Sequence, residues 1–323
     1  MGKTMKIEKE AFVNPPAEFR GAPFWAWNGK LNREELLRQI HILKDMGMGG
    51  FFMHSRAGLQ TEYLGDEWME LIRICSEEAE KLGMKAYLYD EDRWPSGTAG
   101  GLVTQNPRFR EKYIQAQRIE REDFSLLDFG QEYLAAFAVK LIESEGEQVL
   151  ADYFSVLYAD QIPDGYAALV FTVQERPKEG FFNGATDVDR LNREATDEFI
   201  RITHEKYKSA VGDLFGKEIL GIFEDEPHRG FLFGGSDFDR MPYTYTLFET
   251  FEQYAGYDLR SRLPELYYQR SGESFNKVAY DYVDVLDRMF INNFAKPYSE
   301  WCRKNNLILT GHIWPVSYTH LTL

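Results

Sequence analysis

The sequence is poor in cysteine: Cys75 and Cys302 are the only two in 323 residues, and they lie far apart in helix-like stretches. They supply neither a disulfide framework nor a CxxC zinc site, and both read as buried free thiols. Long apolar runs are also missing, since nothing approaches the roughly 18 residues a membrane helix needs. The start, MGKTMKIEKEAFVNPPAEFR, has no apolar signal-peptide region, which reads as a cytoplasmic location. Positive charge is in deficit, with 37 Lys+Arg against 52 Asp+Glu and a net charge of −15. That balance opposes nucleic acid and anionic membranes as partners, because both bind through a basic footprint. Proline and glycine, at 12 and 26 residues without a low-complexity tract, are too few for a disordered or collagen-like chain. The length allows one large domain or two ordinary ones.

What is present is a repeated unit, a short apolar run that turns polar at its C-terminal end and leads into helical spacing. The runs span 23–28, 50–56, 86–92, 219–226 and 307–312. Continuous apolar runs of this length suit strands buried on both faces, as in a parallel sheet. Between them, Leu36, Leu37, Ile40 and Leu43 follow a capping-box-like start at Asn32 and Glu35. Trp68, Leu71, Ile72, Cys75, Ala79 and Leu82 mark a second helix, stopped by Gly83. Phe199, Thr203, Tyr207 and Val211 predict a third, and Val278, Tyr282, Val285 and Met289 a longer fourth. The rhythm breaks at 108–185, where 133–142, 149–157 and 166–173 read as strands without helices, a β-rich insertion after the third barrel strand. A second irregular stretch, 228–275, carries Gly234-Gly235 and Pro264 and reads as a long loop with short helices.

An open doubly wound sheet and a (β/α)8 barrel both use this alternation. The barrel is preferred because polar side chains end all five runs: Asn28, His54 with Arg56, Asp90 to Asp92, Glu224 to Glu226, and His312. A barrel keeps its active face at the C-terminal ends of its strands. A dinucleotide-binding sheet would place GxGxxG after the first strand, whereas Gly47-Met-Gly-Gly50 precedes a strand and reads as a tight turn. The expected fold is therefore α/β, a TIM barrel with five of its eight strands in view. Residues 1–107 form its first part, 108–185 the insertion and 186–315 the continuation. About three βα units are expected beyond the C-terminus. The last eight residues, 316–323, read like the translation of a transposon-based sequencing adaptor, a non-native tail in which His320 has no role.

The densest chemical cluster is Phe223-Glu-Asp-Glu-Pro-His228. Strand alternation places Glu224 and Glu226 on one face and Asp225 on the other, with Glu226 at the rim. Two neighbouring carboxylates raise each other's proton affinity, which suits one to be a general acid; a solvated strand end is the alternative. In Tyr89-Asp-Glu-Asp-Arg-Trp-Pro-Ser-Gly97, Asp90, Glu91, Arg93 and Trp94 are candidate ligand contacts, with a structural ion pair the rival reading. His54, Arg56 and His312 are candidates to bond a substrate, a core histidine being the alternative for His312. His204-Glu205 lacks the second histidine of HExxH and reads as structural. Trp25, Trp27, Trp94 and Trp314 lie in or after strand ends, and aromatic faces beside carboxylates favour a carbohydrate over a phosphate.

These segments resemble a known family. PFWAWNGKL, MGMGGFFMHSRAGL, YLYDEDRWPSGTAGG, VDRLNREAT, GIFEDEPH and LTGH look like the catalytic-barrel half of glycoside hydrolase family 106, the α-L-rhamnosidases and their relatives. The resemblance runs in order through most of 20–315. It implies an inverting, calcium-dependent glycosidase that uses two glutamates. Glu226 maps onto the general acid, and the general base falls just beyond the LTGH strand, where Pro315 and the tail stand instead, so the base is expected to be lost by truncation and this chain by itself to be inactive. Calcium is implied without assignable ligands. Glu224, Asp90, Glu91, Arg93, Trp94, His54, Arg56, His312 and Trp27 are expected to shape a sugar pocket. Three rivals stand beside this reading: a glycosidase for another sugar, a non-catalytic carbohydrate-binding barrel, and an aldolase or isomerase acting on phosphorylated sugars.

Overall fold

The computed structural model describes residues 9–124, 130, 132–230 and 240–313. In chain order α1 (Lys9–Val13), β1 (Phe24–Gly29), α2 (Arg33–Asp45), β2 (Gly50–Leu59), α3 (Asp66–Lys81) and β3 (Lys85–Tyr89) come first. They are followed by β4 (Lys112–Ile119), α4 (Arg121–Phe124), β5 (Tyr133–Ser144), β6 (Glu147–Ser155) and β7 (Ala167–Glu175). The chain continues through α5 (Arg193–Ile202), α6 (His204–Val211), β8 (Ile219–Asp225), β9 (Arg240–Tyr243), α7 (Leu247–Ala255) and α8 (Leu263–Tyr267). It closes with α9 (Lys277–Phe290), α10 (Lys296–Lys304) and β10 (Ile308–His312).

All five expected strands form, and they pair in parallel in sequence order, β1-β2-β3-β8-β10. Local chemistry starts and stops the intervening helices as their residues require. The Asn32 side chain accepts the Glu35 N–H at the head of α2, and Gly83 takes a φ of +65° after α3, where an L side chain would be strained. The turn at 47–50 is tight: a Cβ on Gly49 would lie 1.9 Å from the Ala17 carbonyl oxygen. The predicted third helix is two. Thr203 Oγ1 donates back to the Phe199 carbonyl at 2.7 Å, an alternative to the regular ladder that separates α5 from α6. The fourth is longer than predicted, running from α9 through a π turn at Ile291–Ala295 into α10.

The sheet is curled. Phe24 of β1 and Phe223 of β8 have ring centroids 4.7 Å apart, although β2 and β3 lie between them. In a flat sheet three strand spacings would hold them roughly 14 Å apart. The convex face carries the core, with Trp25, Trp27, Phe51, Met53, Leu88 and Ile222 packed against Trp68, Cys75, Phe199 and Tyr298 of the helices. Both cysteines are buried free thiols.

The interruption at 108–185 and part of the one at 228–275 form a single second sheet, antiparallel, in the order β6-β5-β7-β4-β9. Glu145 and Gly146, with φ of +55° and +87°, close the β5–β6 hairpin in the conformation two-residue hairpin turns demand. The predicted strands 133–142, 149–157 and 166–173 correspond to β5, β6 and β7. Two strands escaped the sequence pattern, β4 and β9, and they pair with each other through Lys112↔Tyr243 to Gln115↔Arg240. A four-residue strand inside a long irregular stretch has too few alternations to register. Gly234-Gly235 and the segment from Trp314 onward, tail included, lie outside the described residues.

His204, expected to be structural, is fully buried with Tyr298 edge-on at 4.5 Å, while Glu205 accepts the Trp301 indole N–H at 2.5 Å. Burial drives the imidazole pKa down to about 3. The folded state therefore holds His204 neutral while the unfolded chain protonates it below its ordinary value near 6.5. Stability from this group is complete above pH 6.5 and lost as pH falls towards 3, at up to about 1.4 kcal/mol per pH unit. Thermal melts of His204→Phe should show a weaker acid dependence across that window than the parent.

Candidate active site

The C-terminal ends of the five parallel strands bring the candidate side chains to one rim, and strand alternation sorts them onto two faces. On the concave face Tyr89 carries the His54 ring at 3.8 Å and donates its hydroxyl to Asp225 Oδ2 at 2.7 Å. His54 is buried, and burial first, then the nearby Arg56, lowers its pKa to about 4. Asp225 therefore points into the concave side and Glu224 does not. Glu224 lies towards α10, where its charge acts on Asp90, Tyr298 and Cys302, and burial raises its pKa to about 7. This corrects the expected pairing of Glu224 with Glu226. Glu226 stands past the last residue of β8 with a φ of +52°, so strand parity does not carry through to it.

Glu226 meets Asp225 and His312 at this rim. His312 Nε2 lies 3.2 Å from Asp225 Oδ1 and 3.8 Å from Glu226 Oε1, and the Glu226 N–H donates to the His312 carbonyl at 3.0 Å. Burial and the Asp225 charge raise the Glu226 pKa, with His312 opposing them. The site thus holds a partly enclosed carboxyl biased towards its protonated form.

The acidic residues of the loop after β3 support this rim without lining it. The Glu91 carboxylate accepts backbone N–H groups from Asp92, Gly97, Thr98, Ala99 and Gly100 at 2.5–3.1 Å. Burial raises its pKa to about 7 against the pull of these donors. Asp90 accepts the Ser96 hydroxyl at 2.6 Å and the Tyr298 hydroxyl at 2.8 Å, and Asp92 takes Ser55 Oγ and Asn183 Nδ2. Asp90 and Glu91 are both fully buried, so these two candidates fold the loop and present no oxygen to a ligand. Trp27 is corrected likewise: it is 1% exposed, wedged edge-on between Trp25 and Trp68. An indole facing the helices cannot stack on a sugar. Arg93 donates to the carbonyls of Gly180 and Phe181. Arg56 lies 4.6 Å over the Trp94 ring, and Phe181 meets that ring edge-on.

Sequence reasoning missed Asp187 and Arg190; Arg190 lies in the VDRLNREAT segment, and Asp187 stands one residue before it. They form a buried two-pronged ion pair at 2.8 and 3.2 Å. Burial works to raise the Asp187 pKa, but Arg190 and His228 hold it well below the usual carboxylate range.

In architecture the chain can now be compared with known proteins. No family model matches it. The solved rhamnosidase of Novosphingobium sp. PP1Y superposes with a TM-score of 0.59 over 94% of this chain and 47% of its own, at 14% identity. The chain shares a rhamnosidase's fold. In sequence it is 19% identical, over 93% of its length, to a "Putative beta-glucuronidase" of Formosa agariphila. It spans 30% of that protein, so both relatives are much longer chains.

Two clusters among the described residues bring three ligand-type side chains within 4.8 Å, Asp225–Glu226–His312 and Glu111–Asp187–His228. Calcium takes about six to eight oxygen ligands. Each cluster includes an imidazole, and the second already holds Arg190 against Asp187, so neither donor set fits calcium.

The Glu91 nest gives a direct test. Glu91→Gln keeps the shape but turns one oxygen into a donor facing donors, so it should destabilise the fold by about 2–4 kcal/mol. Denaturant unfolding of the two proteins measures it.

Proposed function

We propose that this chain is the catalytic-barrel part of a glycoside hydrolase that releases terminal α-L-rhamnosyl residues with inversion, with Glu226 as the general acid. The observation that carries the proposal is the convergence of Glu226, Asp225 and His312 at the strand-end rim of a chain with a rhamnosidase's fold. Protonation of a leaving glycosidic oxygen requires a carboxylic acid that keeps its proton near neutral pH. Enclosure and the neighbouring Asp225 charge push Glu226 that way. In the reaction Glu226 gives its proton to the departing oxygen as the glycosidic bond breaks. A second carboxylate takes a proton from the water that attacks the opposite face of the sugar. No acidic residue follows β10 in 313–323, so in this reading that base comes from the longer parent protein, at the roughly 6.5–9.5 Å separation that leaves room for water. Arg56 and Trp94 supply a polar and aromatic wall for the sugar. The barrel closes in this reading with strands supplied by a longer parent protein.

A second reading keeps the chemistry and changes the sugar, favoured by the sequence relative named as a glucuronidase. A non-catalytic sugar-binding barrel is the outcome in which glycosides bind and are not cleaved. Calcium dependence, implied by the family resemblance, is tested by assaying with added calcium and with chelator.

In the full-length parent, Glu226→Gln should lower turnover of p-nitrophenyl α-L-rhamnoside by about a hundredfold or more while leaving rhamnose binding; unchanged turnover removes the role. The active form is protonated, so kcat falls as pH rises through the Glu226 pKa. Asp225→Asn removes a charge that raises this pKa, and the basic limb of the kcat profile should move to lower pH. A limb that stays in place or moves upward contradicts the assignment.

A further inference from the structure

Glu226 occupies the left-handed region of backbone space, with a φ of +52°, which costs a residue with a side chain and persists only where its surroundings impose it. The segments on either side of it are tied to one buried ion pair. On the N-terminal side Ser96 holds Asp225 twice: the Ser96 N–H donates to the Asp225 carbonyl at 2.9 Å, and Ser96 Oγ accepts the Asp225 N–H at 2.8 Å. Ser96 is in turn held by Arg190, whose Nε donates to its carbonyl at 2.6 Å while Nη2 reaches the Pro95 carbonyl at 3.2 Å. On the C-terminal side His228 Nε2 lies 3.4 Å from Asp187 Oδ2. His228 Nδ1 accepts the Gly230 N–H at 3.1 Å, which leaves the ring proton of a neutral imidazole on Nε2, facing Asp187. Asp187 and Arg190 are each 1% exposed in their side chains. Arg190 thus grips the residue before Glu226 through Ser96, and Asp187 grips the residue two after it.

We infer that the Asp187–Arg190 pair is a positioning element that clamps both flanks of Glu226 and imposes the backbone conformation from which its carboxyl meets the glycosidic oxygen. The inference rests on reading Glu226 as the proton donor. A buried ion pair adds little net stability over apolar side chains of the same size, and its better-attested use is to specify one arrangement. Here the arrangement is the turn that carries the acid.

The test reads the imposed conformation without activity. Glycine adopts positive φ freely and glutamine does not, so with the clamp intact Glu226→Gly should melt roughly 1–3 °C above Glu226→Gln. In an Asp187→Asn background, and separately with His228→Gln, which spares the ion pair, that difference should vanish. A Gly–Gln difference that is absent in the parent, or that persists unchanged in both backgrounds, overturns the clamp. If Asp187→Asn does not fold, the His228→Gln comparison decides alone.

A kinetic arm separates this from the role of Glu226 itself. Displacing a general acid slows glycosides with poor leaving groups most, whereas general loss of folded protein slows all of them equally. In the full-length parent, His228→Gln should therefore lower kcat on the methyl rhamnoside roughly tenfold more than on the 2,4-dinitrophenyl rhamnoside. An equal fall on both assigns His228 a purely structural role and overturns the positioning claim. If Glu226→Gln shows no leaving-group dependence, the acid assignment fails, and the melting comparison still decides the clamp.

Discussion

The buried contact between Asp187 and Arg190 is the constraint on which the rim is assembled. A carboxylate and a guanidinium at 1% exposure have given up their water, and each must be satisfied by the protein or the fold loses several kcal/mol. Satisfying them is what draws the rim together. Arg190 spends its remaining donors on the backbone of Pro95, Ser96 and Val188, and Asp187 takes the Val188 N–H as well as His228. The loop after β3 and the turn after β8 come from chain segments about 130 residues apart, and their polar groups close on this one pair. Glu91 does the same work inside the first loop, where one carboxylate replaces the missing secondary structure for five N–H groups.

This division of labour explains why so many acidic residues crowd the rim while few face outward. Asp90, Glu91, Asp92 and Asp187 are buried and hydrogen-bonded, and Glu224 is turned towards the helices. Glu226 and His312 are left to meet what arrives from solvent, with Asp225 buried against His312. The Asp225 charge shapes the field in which Glu226 titrates. A proton donor benefits from such a surrounding, because charge that repels its ionised form keeps the proton on.

The curled parallel sheet was legible because its strands are buried on both faces and need continuous apolar runs, as in 50–56 and 219–226. Its helices were legible from the spacing of Leu36 and Ile40, or Trp68, Ile72 and Cys75, which are all buried. The antiparallel sheet was only partly so: β4 and β9 are short or weakly alternating, and their pairing spans more than 120 residues of sequence. In the site, Glu226 and His312 stood out as polar ends of apolar runs. Trp27 and Glu224 looked equivalent to them because sequence does not say which face of a strand is concave, and Asp90 and Glu91 because it does not say which way a side chain turns once a strand ends.

The residues by themselves determined the alternation of strand and helix, the buried thiols, the acidic balance and the placing of ionisable groups at one end of the strands. Those properties follow from local spacing and solvation, which each segment carries with it. Tertiary structure alone decided which carboxylates are structural, that Asp225 rather than Glu224 faces the concave side, and that Asp187, Arg190 and His228 stand around Glu226. These depend on strand curl, on backbone that leaves the β conformation at Glu226, and on contacts between distant segments. No local pattern encodes such contacts, because the energy that selects them exists only once both partners are removed from water.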